Sequence, residues 1–334
     1  MKPLVAIIDW AKQPLGEPTA AIETAALQDV ARVKTFFCDA ESDFDSEILD
    51  ATAMILWHNI HVTRNVIHRL RACRAIIRNG VGYDGVDCEA ARERGVPVCN
   101  VPDYGTEEVA DHAIALAMAL ARQIFPLDQE AKQLGWRIRV ESKLRQLRQL
   151  TFGIVGLGRI GTATALRARA LGFKVCFYDP YVPNGVDKAV GVNRVRQLEE
   201  LLRVADILSL HCPLTPETRH LIAERELNMM KAGAFIVNTA RGAIIEKNAL
   251  LRALRADRLA GAGLDVVEDE PLKTPDEAAT PNLIVTCHAA FCSVESKREM
   301  RATSARLARA AVLGMPLENI VNLLVPKTEA GVIC

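Results

Sequence analysis

This sequence has no charge excess, no long apolar run and no cysteine framework. Its 41 Lys+Arg residues are balanced by 41 Asp+Glu, a formal net charge of zero, and neither sign forms a block. That balance argues against a nucleic-acid or membrane surface. The longest apolar helical stretch, AIALAMALA at 113–121, is too short to cross a bilayer. The opening run KPLVAIIDW abuts an acidic residue and lacks a small-residue cleavage site, so it reads as a first strand rather than a secretory leader. Nine cysteines are scattered without paired spacing. The odd count, with no leader in view, favours reduced thiols and a cytoplasmic location. Neither an internal repeat nor a low-complexity segment interrupts the chain.

What remains is ordinary globular sequence, 334 residues with 50% hydrophobic and 25% charged content. That length points to two domains. Short β-branched runs alternate with helical patterns throughout, as a parallel α/β protein requires. Strands are expected at LVAIID (4–9), AMILW (53–57), AIIRN (75–79) and PVCNV (97–101). A second series begins at residue 151 with TFGIV, KVCFY, DILSLH, AFIVN, AGAGLDV and LIVTCH. A long helix, apolar on most faces, is expected from about Thr106 to Ile124, and its width suggests burial on two sides at a domain or subunit interface. Another runs from about Glu295 to Leu313 and ends at Gly314.

The sharpest motif is Gly156-Leu157-Gly158-Arg159-Ile160-Gly161. Alone, GxGxxG is weak, because turns use glycine freely. Here it follows the buried strand TFGIV, opens the helical stretch TATALRARALG, and precedes an acid, Asp179, at the end of KVCFYD. That context is the dinucleotide-binding arrangement. Gly156 permits the tight turn, Gly158 lets backbone approach a pyrophosphate, and Gly161 allows helix and strand to pack closely, with the helix N-terminus facing the anion. Asp179 would accept hydrogen bonds from the adenosine ribose and repel a 2′-phosphate. NAD (NADH) is therefore expected over NADP.

Three further side chains fall at strand ends of the second series: Arg241 in NTARGAIIEKNAL, Glu270 in DVVEDEP and His288 in TCHAAF. Taken singly they suit a surface arginine, a loop acid and a core histidine. Together, beside a nicotinamide site, they suit reduction of a 2-keto acid. Arginine's planar fork holds the carboxylate and polarises the carbonyl. Histidine supplies a proton donor near neutrality, and a neighbouring carboxylate favours its protonated form. No metal is expected. His58 and His61 form an H-x-x-H in loop-like sequence without a carboxylate set, and Cys287 and Cys292 lack a second thiol pair. His112 reads as a packed helix residue.

Over nearly its whole length the sequence resembles the D-isomer-specific 2-hydroxyacid dehydrogenases. The matching segments are IIRNGVGYDGVDCEAARERGVPVCNVP, GIVGLGRIG, FYDPY, LHCPLT, NTARGAIIEKNAL, LDVVEDEP and the HAA of TCHAAF. Within the family it is most similar to the C-terminal-binding-protein branch, through RNGVGYDGVD, FYDPYVPNGV, GAFIVNTARG and SVESKREMR. The resemblance implies two Rossmann-like, doubly wound parallel-sheet domains, an NAD-binding domain at 102–289 inserted into a substrate domain made of 1–101 and 290–334. It implies that Arg241 binds and polarises substrate, Glu270 pairs with the histidine, and His288 transfers the proton. Gly158, Arg159 and Ile160 would meet the pyrophosphate, and Cys212, Pro213 and Thr218 would wall the cofactor. Thr239, Ala240, Asp265 and Ala290 would lie around the nicotinamide. Arg78, Val81 and Gly82 match the loop that holds the substrate carboxylate, and the helix after residue 105 matches a homodimerisation arm.

The departures bear on substrate. Cys287 replaces a usual proline before the histidine, and Phe291 replaces the branch's tryptophan, which should leave a roomier pocket. Trp57 and Met300 are expected beside the same space. The expected activity is NAD-dependent hydride transfer on a small 2-hydroxy or 2-keto acid. The alternative is an NAD(H)-sensing binding protein like the corepressors of that branch, against which the chain's end at Cys334, without a long extension, is an argument. A formate or phosphite dehydrogenase, or a phosphoglycerate dehydrogenase without a regulatory domain, would share the same three residues.

Overall fold

A computed structural model describes residues 2–12, 14, 19–136 and 144–322. The chain divides into two compact units, one running to Tyr104 and resuming at Ser293, the other spanning Gly105–Cys292.

The first unit holds β1 (Leu4–Trp10), α1 (Ala21–Leu27), β2 (Arg32–Cys38), α2 (Ser46–Leu49), β3 (Ala53–Leu56), α3 (Arg64–Arg69), β4 (Ala75–Arg78), α4 (Cys88–Glu93) and β5 (Val98–Cys99). Its strands form one parallel sheet in the order β2-β1-β3-β4-β5. β1 and β3 are buried on both faces, which is why they read as continuous apolar runs. β2 alternates in exposure at the sheet edge, so RVKTFFC carries a weaker strand signal.

The second unit holds α5 (Thr106–Ala121), α6 (Ile124–Lys132), β6 (Thr151–Val155), α7 (Arg159–Ala170), β7 (Lys174–Tyr178), α8 (Val186–Val190), β8 (Asn193–Arg194), α9 (Leu198–Val204), β9 (Ile207–Leu210), α10 (Glu224–Met229), β10 (Ala234–Asn238), α11 (Lys247–Arg255), β11 (Leu259–Leu264), α12 (Pro275–Ala278) and β12 (Leu283–Val285). Its seven-stranded parallel sheet runs β12-β11-β10-β9-β6-β7-β8. Strand order reverses between β6 and β9, so the loops leaving those strands diverge and open a crevice at their carboxyl ends.

The long helix expected to reach Ile124 stops earlier. Gln123 adopts φ 53°, and α6 restarts at Ile124 with Pro126 in its first turn. The apolar breadth of α5 is absorbed inside its own unit, where it packs on α7, β10 and β11. The approach to β11 is close: a Cβ at Gly261 would sit 2.9 Å from Leu120 Cδ2, and one at Gly263 would sit 3.0 Å from Leu116 Cβ. Exposed apolar side chains lie instead on α6 and just after it, at Ile124, Phe125, Leu134 and Trp136.

The last helix, α13 (Val294–Leu313), returns to the first unit and packs on α1, β3 and β4. Ser293 caps its start and Gly314, at φ 68°, ends it. Arg301 on α13 meets Glu23 on α1 in a bidentate pair of 2.9 and 2.7 Å, with both side chains buried. Removing one partner strands a buried charge. Arg301→Ala is expected to destabilise this unit by about 3–5 kcal/mol, read as a lower urea midpoint. Replacing Arg301 by Met and Glu23 by Leu together should recover most of that loss.

Candidate functional site

Because every strand of the second unit's sheet is parallel, all their carboxyl ends share one edge. The glycine motif leaves β6 there. Gly156, at φ 90°, turns so tightly that a Cβ would lie 2.9 Å from Cys212 N, and a Cβ at Gly161 would lie 2.0 Å from Gly156 O. These two glycines are demanded by the protein's own packing. Gly158 differs, since a Cβ there would meet nothing within 4 Å. It is the N-cap of α7, followed by Arg159 and Ile160, so bare backbone faces open space at a helix N-terminus. That is the form an anion cradle takes.

Asp179 follows β7 and is tied to this loop. Its Oδ2 accepts from Leu157 N at 2.8 Å and its Oδ1 from Tyr181 N at 2.9 Å. Arg194 donates to the Asp179 carbonyl at 2.7 Å. Across the crevice, after β9, Thr218 Oγ1 accepts from Thr215 N at 2.8 Å and donates to Pro213 O at 2.6 Å, closing a turn behind Pro213. Burial pushes the Cys212 thiol up to about 11, which keeps it neutral. His211, bonded to Ser209 Oγ at 2.8 Å, is lowered by burial from 6.5 to about 4 and stays neutral. After β10, Thr239 is buried and its hydroxyl has no hydrogen-bond partner among the described residues. A buried hydroxyl left this way at a strand end, on the same sheet edge as the open backbone cradle, fits a site completed by a bound nucleotide.

Arg241, Glu270 and His288 leave the adjacent strands β10, β11 and β12. Buried Asn238 ends β10 and holds the arginine turn, its Oδ1 accepting from Ala240 N at 3.0 Å and its Nδ2 donating to Arg241 O at 2.8 Å. Arg241 Nη1 donates to Ala240 O at 2.8 Å. The next residue, Gly242, lies against the loop that follows β11, where a Cβ would fall 2.0 Å from Val267 C and 2.4 Å from Glu268 N. That loop carries Glu270, whose Oε1 accepts from Val267 N at 3.3 Å and whose Oε2 lies 2.9 Å from His288 Nδ1. The arginine turn thus packs on the loop whose acid meets the histidine.

Asp265, the first residue after β11, organises the histidine's backbone. His288 N donates to Asp265 O at 2.9 Å, and Ala289 N and Ala290 N donate to its two carboxylate oxygens at 2.9 Å each. Sequence reasoning missed Asn238 and Gly242. An asparagine closing the otherwise apolar strand AFIVN was the available signal for the first.

The residues expected around substrate divide between the units. Trp57, after β3, and Met300, on α13, are buried. Arg78 donates to Asn79 O at 2.6 Å and Leu56 O at 3.3 Å, while Val81 O, next to Gly82, accepts from Asn100 Nδ2 at 2.7 Å. Phe291 belongs to the second unit, where a Cβ at Gly105 would be 3.3 Å from its Cβ. Among the described residues no group of three or more His, Cys, Asp or Glu side chains is placed to hold a metal ion, and no helix is long and apolar enough to cross a membrane.

Residues 114–290, more than half of the chain, match the family model for the D-isomer specific 2-hydroxyacid dehydrogenase, NAD binding domain. The chain belongs to this family. Among D-2-hydroxyacid dehydrogenase relatives it is 36% identical over 306 residues to D-3-phosphoglycerate dehydrogenase of Methanocaldococcus jannaschii, covering 91% of this chain and 58% of the relative. It is 34% identical over 335 residues to C-terminal-binding protein 1 of Caenorhabditis elegans, covering 97% of this chain and 45% of that protein. The chain therefore spans about half the length of these two curated relatives. The crystal structure of D-lactate dehydrogenase from Aquifex aeolicus, complexed with NAD and lactic acid, is similar at 29% identity and a TM-score of 0.83, over 93% of this chain and 96% of that one. The resemblance drawn from the motifs is borne out at the level of the family, and the two parallel-sheet α/β units match the expected fold class.

Proposed function

We propose that this chain is an NAD-dependent oxidoreductase that interconverts a small 2-keto acid and the corresponding D-2-hydroxy acid. The observation that carries this reading is the 2.9 Å contact of His288 Nδ1 with Glu270 Oε2, at the strand ends of an NAD-binding domain. An ionised carboxylate only accepts, so it fixes the shared proton on Nδ1 and leaves Nε2 to exchange a proton with substrate. Arg241 binds the substrate carboxylate and polarises its carbonyl. In the reduction NADH, when bound, supplies the hydride, and His288 Nε2 delivers a proton to the carbonyl oxygen. His288 therefore starts the reduction as an imidazolium stabilised by Glu270 and ends it neutral with its proton on Nδ1, and the reverse reaction restores the imidazolium by taking the hydroxyl proton.

Gly156, Gly158, Arg159, Ile160 and Gly161 would hold the pyrophosphate, and Asp179 the ribose. Thr239, Ala240, Asp265 and Ala290 would border the nicotinamide. Asp179 favours NAD, because a 2′-phosphate would face its carboxylate. Asp179→Ala is expected to lower the ratio of NAD to NADP efficiency, measured as kcat/KM with each cofactor, and an unchanged ratio would remove the ribose role. Trp57, Arg78, Val81, Gly82, Phe291 and Met300 are assigned to the substrate side. The exposed apolar residues of α6 support a homodimer, and the absence of any disulfide among the described cysteines, with Cys287 and Cys292 exposed as free thiols, supports a reducing cytoplasm.

Steady-state NADH oxidation with glyoxylate, hydroxypyruvate, pyruvate and bulkier keto acids tests the reading. Turnover with at least one is expected. Tight NADH binding without turnover on any of them would favour instead a cofactor-sensing role, for which the likeness to C-terminal-binding protein 1 is the supporting observation.

A further inference from the structure

His112 lies on α5 and His288 follows β12, yet a chain of hydrogen bonds links them. His112 Nε2 is 3.0 Å from Thr286 Oγ1, and Thr286 Oγ1 is 2.5 Å from Asp265 Oδ1. The same Oδ1 accepts from Ala289 N, and Oδ2 accepts from Ala290 N. His112 Nε2 also lies 3.7 Å from Asp265 Oδ1.

Proton counting fixes the direction. Ala289 N and Ala290 N can only donate, which suits an ionised Asp265 that accepts throughout. Thr286 has one hydroxyl proton, and the 2.5 Å contact gives it to Asp265. The threonine oxygen is then left to accept, so His112 carries a proton on Nε2 and donates it. The buried carboxylate, 2% exposed, is enclosed by donors from the histidine loop on one side and the Thr286–His112 pair on the other.

This arrangement matters because His288 is held at φ 54°. A non-glycine residue in that region costs about 1–3 kcal/mol and persists only where its surroundings over-determine it. Three backbone N–H groups of the 288–290 stretch end on Asp265, so the aim of the imidazole depends on where that carboxylate sits.

We propose that His112 is a positioning residue for His288, acting through Thr286 and Asp265 to fix the loop that presents the imidazole to Glu270. The inference rests on the dehydrogenase reading for its kinetic consequence, and on the hydrogen bonds alone for its structural one.

The test combines both. His112→Ala and Thr286→Val are each expected to lower kcat, with the best keto acid of the panel, by about tenfold or more, because small misplacements of a reacting group are costly. The Kd for NADH, which also depends on the glycine loop and Asp179, should change by less than kcat does, and the double variant should be no worse than the poorer single one, as coupled partners require. His112→Gln, whose side-chain amide can donate to Thr286, should recover much of the loss. Independently of turnover, amide exchange at Ala289 and Ala290 should quicken about tenfold in His112→Ala. Unchanged kcat and unchanged amide exchange, or losses that multiply in the double variant, would overturn the proposal. If His288→Ala retained turnover, the acid/base reading would fall, and the amide-exchange result alone would still decide whether His112 holds the loop.

Discussion

His288→Ala is expected to bind NADH with nearly unchanged affinity while turnover with any accepted keto acid falls by about 10²–10⁴-fold, the usual worth of a positioned proton carrier. The separation follows from where the groups sit. The glycine loop, Asp179 and the 213–218 turn follow β6, β7 and β9, whereas His288 is anchored after β12 through Asp265 and paired with Glu270. Truncating the imidazole removes the group proposed to exchange a proton with substrate and leaves the glycine loop, on separate strands, in place. A fluorescence titration with NADH and a steady-state assay on the same sample distinguish the two effects. Retained turnover would remove His288 from the chemistry, and lost NADH binding would mean that the histidine loop supports the cradle as well. Since alanine inherits the unfavourable φ of 54°, His288→Asn, which tolerates that region, serves as the matched control.

Gly242→Ala should be nearly as damaging, although Gly242 carries no chemistry. The added methyl would fall 2.0 Å from Val267 C and 2.4 Å from Glu268 N. Both are backbone atoms, so neither can rotate away. Either the turn bearing Arg241 or the loop bearing Glu270 must move, and both sit within a few residues of the collision. Overpacking of this kind costs about 1–3 kcal/mol of stability. Displacement of a reacting group by an ångström costs on the order of 10²-fold in rate. The expected result is a folded protein, by circular dichroism, with a lowered Tm, near-normal NADH binding and a kcat reduced on that scale. A Tm loss with full kcat would show that the two loops can separate without disturbing their side chains.

The parts of this architecture legible in sequence are those encoded locally. β6 and β10 were delimited to the residue, because buried parallel strands are uninterrupted apolar runs bounded by turn chemistry. The glycine motif was legible because strand, turn and helix occur within a dozen residues. Arg241, Glu270 and His288 stood out as polar residues at strand ends. β8 escaped notice, being two residues long and half exposed. The break between α5 and α6 had a signal that the apolar pattern hid: Pro126 has no N–H for the Arg122 carbonyl, so a helix continuing through it loses a bond. The need for Gly242 lies in a loop more than twenty residues ahead, and the partner of His112 is 174 residues away. Contacts of that range leave no mark on the pattern around either residue.

The path of the chain through its second unit has a practical consequence. The polypeptide enters at Gly105 and leaves at Cys292, and a Cβ at Gly105 would lie 3.3 Å from Phe291 Cβ. A segment whose two ends are neighbours can be cut out and rejoined by a short linker with little loop-closure cost. Residues 105–292 are accordingly expected to fold when expressed by themselves and to tolerate circular permutation at this junction, as circular dichroism of the fragment would check.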